Sequence, residues 1–96
     1  MFKKTGLQFE WDNKKANTNN RKHGITFEEA STAFADELSI TIDDPLHSEE
    51  EDRLILIGVS KQFKTLVVVH VEKRETIRII SARKATKHEQ KFYEEN

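Results

Sequence analysis

Cysteine is absent from these 96 residues. That excludes a disulfide scaffold, a thiol nucleophile and any thiolate-held zinc or iron–sulfur centre. Glycine is scarce: Gly6, Gly24 and Gly58 stand alone, so no Gly-rich loop can cradle a nucleotide's phosphates, and no cofactor is expected. No apolar run approaches the roughly 18–20 residues that a membrane span needs. Met1–Gly6 has no signal-peptide apolar region, so the expectation is a soluble cytoplasmic protein with no membrane partner. Apolar residues make up 35%, charged residues 34%, and mean hydropathy is -0.74. A chain of this size and polarity holds one small core, expected as a single domain over residues 7–95. The four histidines are dispersed, and the acidic run Glu49–Asp52 reads as a solvated loop, so no metal site is expected.

What is present is charge, and it is unevenly spread. Residues 1–52 carry 6 Lys/Arg against 12 Asp/Glu, whereas residues 53–96 carry 10 against 5. Either folding mixes the halves into a neutral surface, or one face attracts anions.

Local signals divide the chain cleanly. A short extended piece, Leu7–Glu10, leads to Asp12, a good N-cap for a polar helix over Asn13–His23 that Gly24 terminates. Ala16 is the only apolar residue in that helix, a first hint that it serves a surface function. Thr26 and Glu29 have capping-box spacing, with Ile25 and Ala30 at staple positions. Phe27, Ala30, Ala33 and Phe34 then form a helical stripe to about Ala35. From Leu38 the period becomes two: Leu38, Ile40 and Ile42 alternate with polar residues until Asp44-Pro45. Arg53–Ser60, Thr65–Glu72 and Thr76–Arg83 read as strands whose short connections force antiparallel hairpins. Thr86 and Glu89 repeat the capping-box spacing ahead of a closing helix to Glu95, with Phe92 and Tyr93 as its aromatic anchors. The predicted order is β-α-α-β-β-β-β-α, an α+β fold with helices on an antiparallel sheet of four to five strands.

These residues resemble a known family. Phe9-Glu10-Trp11-Asp12, Lys15-Ala16, Asn19 or Asn20, and Lys22-His23-Gly24 are similar to the opening signature of BrnT-like toxins. Phe27-Glu28-Glu29-Ala30, then Glu51-Asp52-Arg53 with Ile57-Gly58, and finally Ile77 to Thr86 with Glu89 and Tyr93, follow in the family's order. The resemblance implies a RelE-like fold and a ribonuclease toxin of a type II toxin–antitoxin pair that inhibits translation. It also implies a ribbon-helix-helix antitoxin as partner. The chain departs from the pattern at Lys61-Gln62-Phe63-Lys64, where relatives commonly turn on a glycine.

RNA cleavage without a metal needs a base for the 2′-hydroxyl, cations for the phosphorane charge and an acid for the 5′-oxygen. Cations are plentiful here and bases are few. Arg83 and Lys84 directly precede the helix capped by Thr86, the best anion site in the sequence, although Arg83 could instead pair with Glu89. Arg78 lies an odd number of residues away, so a regular strand sends it to the opposite face unless a bulge re-aims it. Arg53 could clamp a phosphate or be balanced by Asp52 and Glu51. Lys22 and His23 end the polar helix, where a protonated imidazole is favoured, as general acid and phosphate anchor or as plain C-terminal capping residues. His88 is a second candidate near Arg83, while His70 reads as a core or edge histidine and His47 has nothing to recommend it. Tyr93 either stacks on a base or packs under the sheet.

The expected catalytic set is thus Arg83, Lys84, His23 and Arg53, with Lys22, Arg78, His88 and Tyr93 in substrate binding. A non-catalytic nucleic-acid-binding or regulatory module on the same fold is the alternative, favoured by the lack of an unambiguous general base. Alone the chain is expected to be a monomer. With its antitoxin it is expected as a heterotetramer that binds operator DNA through the antitoxin.

Overall fold

The computed structural model describes residues 7–46 and 52–96. Most of the expected acidic loop, with His47 and Glu51, lies outside them. Five strands form one sheet: β1 (Gln8–Glu10), β2 (Ile40–Asp43), β3 (Arg53–Val59), β4 (Thr65–Lys73) and β5 (Thr76–Lys84). Their spatial order is β1-β5-β4-β3-β2, and β2 to β5 pair antiparallel as the short connections require. β1 is the exception to an all-antiparallel sheet, pairing parallel to β5. The helical segment between β1 and β2 carries the chain away, which frees β1 from hairpin geometry.

The helices begin and end where their caps place them. The Asp12 carboxylate accepts from the Lys14 and Lys15 amides, and Gly24 closes α1 (Asn13–His23) at φ 71°, a conformation glycine adopts without steric cost. Thr26 caps α2 (Phe27–Thr32), which tightens into a 3₁₀ turn over Ala33–Ala35. The full capping box forms at α3 (Lys87–Glu94) between Thr86 and Glu89. At Thr26 only half of it forms. There the Glu29 carboxylate turns away to accept from the Ser60 hydroxyl at 2.7 Å and to meet Lys64 at 3.7 Å. Burying that carboxylate against the β3–β4 turn braces the turn, which lets Phe63 sit at φ 64°, a strained position for a bulky residue.

The core lies between one sheet face and α2. Ile25, Phe27, Ala30, Ala33 and Phe34 meet Leu56, Leu66, Val68, Ile77, Ile79 and Ala82, all at most 4% exposed. Trp11 crosses Phe27 edge-on at 5.9 Å, anchoring the entry to α1 against α2. A Cβ at Gly58 would lie 2.9 Å from the Ala33 carbonyl, so the glycine lets the 3₁₀ turn approach β3. His70 is a core residue, fully buried against Phe34. Leu38 is not part of the strand it was expected to begin: it sits in a turn, 74% exposed, before β2 starts at Ile40.

Candidate functional site

The second face of the sheet carries the arginines. Arg53, Val71 and Arg78 are direct cross-strand partners on β3, β4 and β5, so the two guanidinium stems rise from one row about 10 Å apart. Ile57, Val67 and Arg83 form another row on the same face. Strand parity predicts Arg78 and Arg83 on opposite faces, and the structure corrects this. Val69 pairs with Ser81 but His70 pairs with Ile79, leaving Ile80 as an extra residue in β5. That bulge shifts the alternation by one, so Arg78, Ser81 and Arg83 all leave the face away from α2. Arg78 is exposed beside Glu10, its register partner on β1, and shares a shallow recess with Glu10, Trp11 and Asp12.

Arg83 is held rather than loose. Its two terminal nitrogens donate to the two Glu89 oxygens, each at 2.8 Å, a fork-to-carboxylate pair that ties α3 to this face. The Arg83 hydrogen bonds hold the Glu89 carboxyl well down, to about 2, so Glu89 stays ionised and is a poor proton acceptor. Glu89 in turn raises the Arg83 pKa. Lys84 points the other way at the end of β5 and is exposed, while His88 is exposed in the first turn of α3. The Tyr93 hydroxyl donates to Asp36 at 2.5 Å, which pushes the phenol up to about 12. Asp36 also accepts from the Val59 and Leu38 amides, so Tyr93 fastens α3 to the entry of β2.

Lys22 and His23 lie elsewhere, in a groove of about 320 Å³ where α1 runs along the free edge of β5. The groove is lined by Lys14, Lys15, Thr18, Asn19, Lys22, His23, Ile80 and Ser81. β1 covers only the first three residues of β5, and beyond it the buried Asn19 amide takes over. Asn19 donates to the Ala82 and Ile25 carbonyls at 2.8 and 2.9 Å and accepts from the Ala82 amide at 3.0 Å. It acts as a one-residue substitute strand. Ser81 joins the two regions, since it lines the groove and shares the face of Arg78 and Arg83. Sequence reasoning missed Lys14, Lys15 and Ser81. Two lysines in the first turn of a helix, where the dipole disfavours cations, were the available signal. Among the described residues no three His, Asp or Glu side chains gather as metal ligands would. No described helix is long and apolar enough to cross a membrane.

The family model described as "Ribonuclease toxin, BrnT, of type II toxin-antitoxin system" matches residues 11–89. The fold is similar to the crystal structure of the ribonuclease toxin BrnT of Brucella abortus, with a TM-score of 0.66 and 23% identity. That alignment covers 84% of this chain and 99% of the Brucella chain, and at this identity it speaks to the fold. No curated protein matches the chain in sequence.

Proposed function

The chain belongs to the BrnT family of ribonuclease toxins of type II toxin–antitoxin systems, and on that premise we propose that it cuts RNA without a metal and so blocks translation in the cytoplasm. The observation that carries this reading is the bulge at Ile80, because it gathers Arg53, Arg78 and Arg83 on one open face. The 2′-hydroxyl gives up its proton to solvent water as its oxygen attacks the neighbouring phosphorus, and the 5′-oxygen leaves with a proton, giving a 2′,3′-cyclic phosphate and a 5′-hydroxyl. Negative charge grows on the non-bridging oxygens during the attack. Guanidinium donors fixed on a sheet stabilise that charge without reorganising, which is where most of the rate arises. Arg53 and Arg78 flank the phosphate across Val71. Arg83, aligned by Glu89, and Lys84 add positive potential at the far end of β5. His23, exposed at the C-terminal end of α1, supplies the proton to the leaving 5′-oxygen, with Lys22 and His88 holding adjacent phosphates. Tyr93 positions α3 rather than touching RNA.

Silencing follows from the same charges. A ribbon-helix-helix antitoxin lays acidic side chains over Arg53 and Arg83 and reaches Lys84 around the end of β5, competing directly with RNA, and its dimer brings two toxin chains into a heterotetramer that binds operator DNA. Alone, the chain is a monomer confined to residues 7–95 as one folded unit.

The test is cleavage of purified RNA in EDTA. Wild-type protein is expected to leave cyclic-phosphate ends. Arg78→Ala, an exposed position, is expected to lose roughly 10²–10³-fold in rate with folding intact. A protein that cuts no RNA and arrests no growth ends the enzyme reading. A non-catalytic RNA-binding module is the second reading, favoured by the Arg83–Glu89 pair, in which the carboxylate is too acidic to serve as a base. It predicts salt-dependent binding with no products.

A further inference from the structure

The groove between α1 and β5 contains a charge pattern that the arginine face does not explain. Lys14, Lys15, Lys22 and His23 line it together, and none of its lining residues is a carboxylate. No ion pair engages Lys14, Lys15 or Lys22 among the described residues. Helix stability accounts for part of this: Arg21, Lys22 and His23 sit in the last turn of α1, where the dipole favours cations. It does not account for Lys14 and Lys15. They stand in the first turn, at the positive end of the dipole, where no acidic residue occurs inside the helix. Asp12, the N-cap, takes both of their backbone amides on Oδ1, and no ion pair joins it to either ammonium group among the described residues. Two turns further on come Arg21, Lys22 and His23, and the helix contains no acidic residue to offset either group.

The groove is also built to a fixed width. Asn19, 6% exposed, is bonded to Ala82 in both directions and to Ile25, which locks α1 against the β5 edge. Thr18 and Ser81 add hydroxyls to the lining. From Lys14 to Lys22 the helix rises about 12 Å, long enough to face several consecutive phosphates of one strand.

We propose that this groove is a sequence-independent track for the RNA backbone, in which Lys14 and Lys15 grip the strand beyond the scissile phosphate. The proposal rests on RNA being the substrate of the arginine face. Ser81 makes the two regions continuous: it shares the face of Arg78 and lines the groove, whose own lining holds no carboxylate, while Glu10 and Asp12 flank Arg78 at the entrance. The contacts are to the backbone, because the ammonium groups of Lys14, Lys15 and Lys22 pair with phosphates whatever base follows.

The test measures binding rather than cleavage, so it is independent of turnover. A fluorescent 2′-O-methyl RNA, which lacks the attacking hydroxyl, is titrated with protein across a salt series. Each phosphate–lysine contact contributes about 0.7 to the log–log slope for a single strand. The Lys14→Ala/Lys15→Ala double variant is therefore expected to lower the slope by about 1.4 and to weaken binding by roughly 10- to 30-fold at about 0.1 M salt. Alanine is a good helix former, so α1 should persist, as circular dichroism would verify. Lys73→Ala/Lys91→Ala, which removes the same charge from exposed positions on β4 and α3, is the control and keeps most of the wild-type slope. The proposal is overturned if the two double variants lose slope equally, or if a poly-glutamate peptide occupies the groove as tightly as the RNA does. Failure to cut RNA, with the slope loss intact, would sink only the enzyme reading.

Discussion

The two faces of the sheet are built from the same three long strands and differ in what they are asked to hold. On the face toward α2, Leu56, Leu66, Val68, Ile77, Ile79 and Ala82 disappear under aromatic and alanine side chains. On the other face Ile57, Val67 and Val71 are covered, yet Ile55, Val59 and Val69 remain half-buried and three arginines stand among them. Close packing fixes the first face and leaves it no chemistry. The second gives up packing to keep a row of cations on a rigid floor, which is the arrangement a polyanion needs. The lesson is a division of labour: one surface supplies the stability that the other can then do without.

Substitutions break this comparison in proportion to which face they touch. Phe27→Ala, at a site with no solvent exposure, is expected to cost about 3–5 kcal/mol, measured by urea unfolding. For a chain of this size each kcal/mol lowers Tm by roughly 4–8 °C. Arg78→Ala, exposed on the other face, should move stability by no more than about 0.5 kcal/mol. If the two costs come out alike, the division between the faces is wrong.

Asn19→Ala probes the seam between them. Alanine leaves the Ala82 amide and carbonyl and the Ile25 carbonyl without their partner, at about 2–3 kcal/mol in total. Amide hydrogen exchange should localise the loss to α1 and the end of β5. Protection lost evenly over the whole sheet would contradict the edge-sealing role.

A smaller effect than that of the core or the seam concerns Arg83 and Glu89. Glu89 has its pKa lowered in the folded state, so its contribution is present above the unfolded value near 4.5 and fades as pH falls through about 2. Because Arg83 is 41% exposed, solvent screening holds the pair to about 1 kcal/mol. Glu89→Gln should therefore flatten the stability–pH curve between about 4.5 and 2 while barely changing stability set by the core. An unchanged curve would show that the pair carries no net stabilisation.

Caps and periods made much of the fold legible before any coordinates. Asp12 and Gly24 bound α1, Thr86 and Glu89 start α3, and the alternation in β3 to β5 sets three strands whose short turns leave only hairpins. These signals act between residues at most four apart, so neighbouring side chains suffice to encode them. The candidate residues were legible as types, since Arg53, Arg78, Arg83, Lys22 and His23 stand out by charge and position. Their grouping was not. Glu29 has a capping-box spacing, but its carboxylate found Ser60, 31 residues away. Asn19 reads as one more polar helix residue until it meets Ala82, 63 residues on. β1 joins β5 in parallel, and one extra residue at Ile80 decides whether Arg78 and Arg83 share a face. Each of these depends on register between segments distant in sequence, and a single-residue slip reverses every side chain downstream. Local propensity fixed the elements; only the packed sheet could decide which cations look the same way.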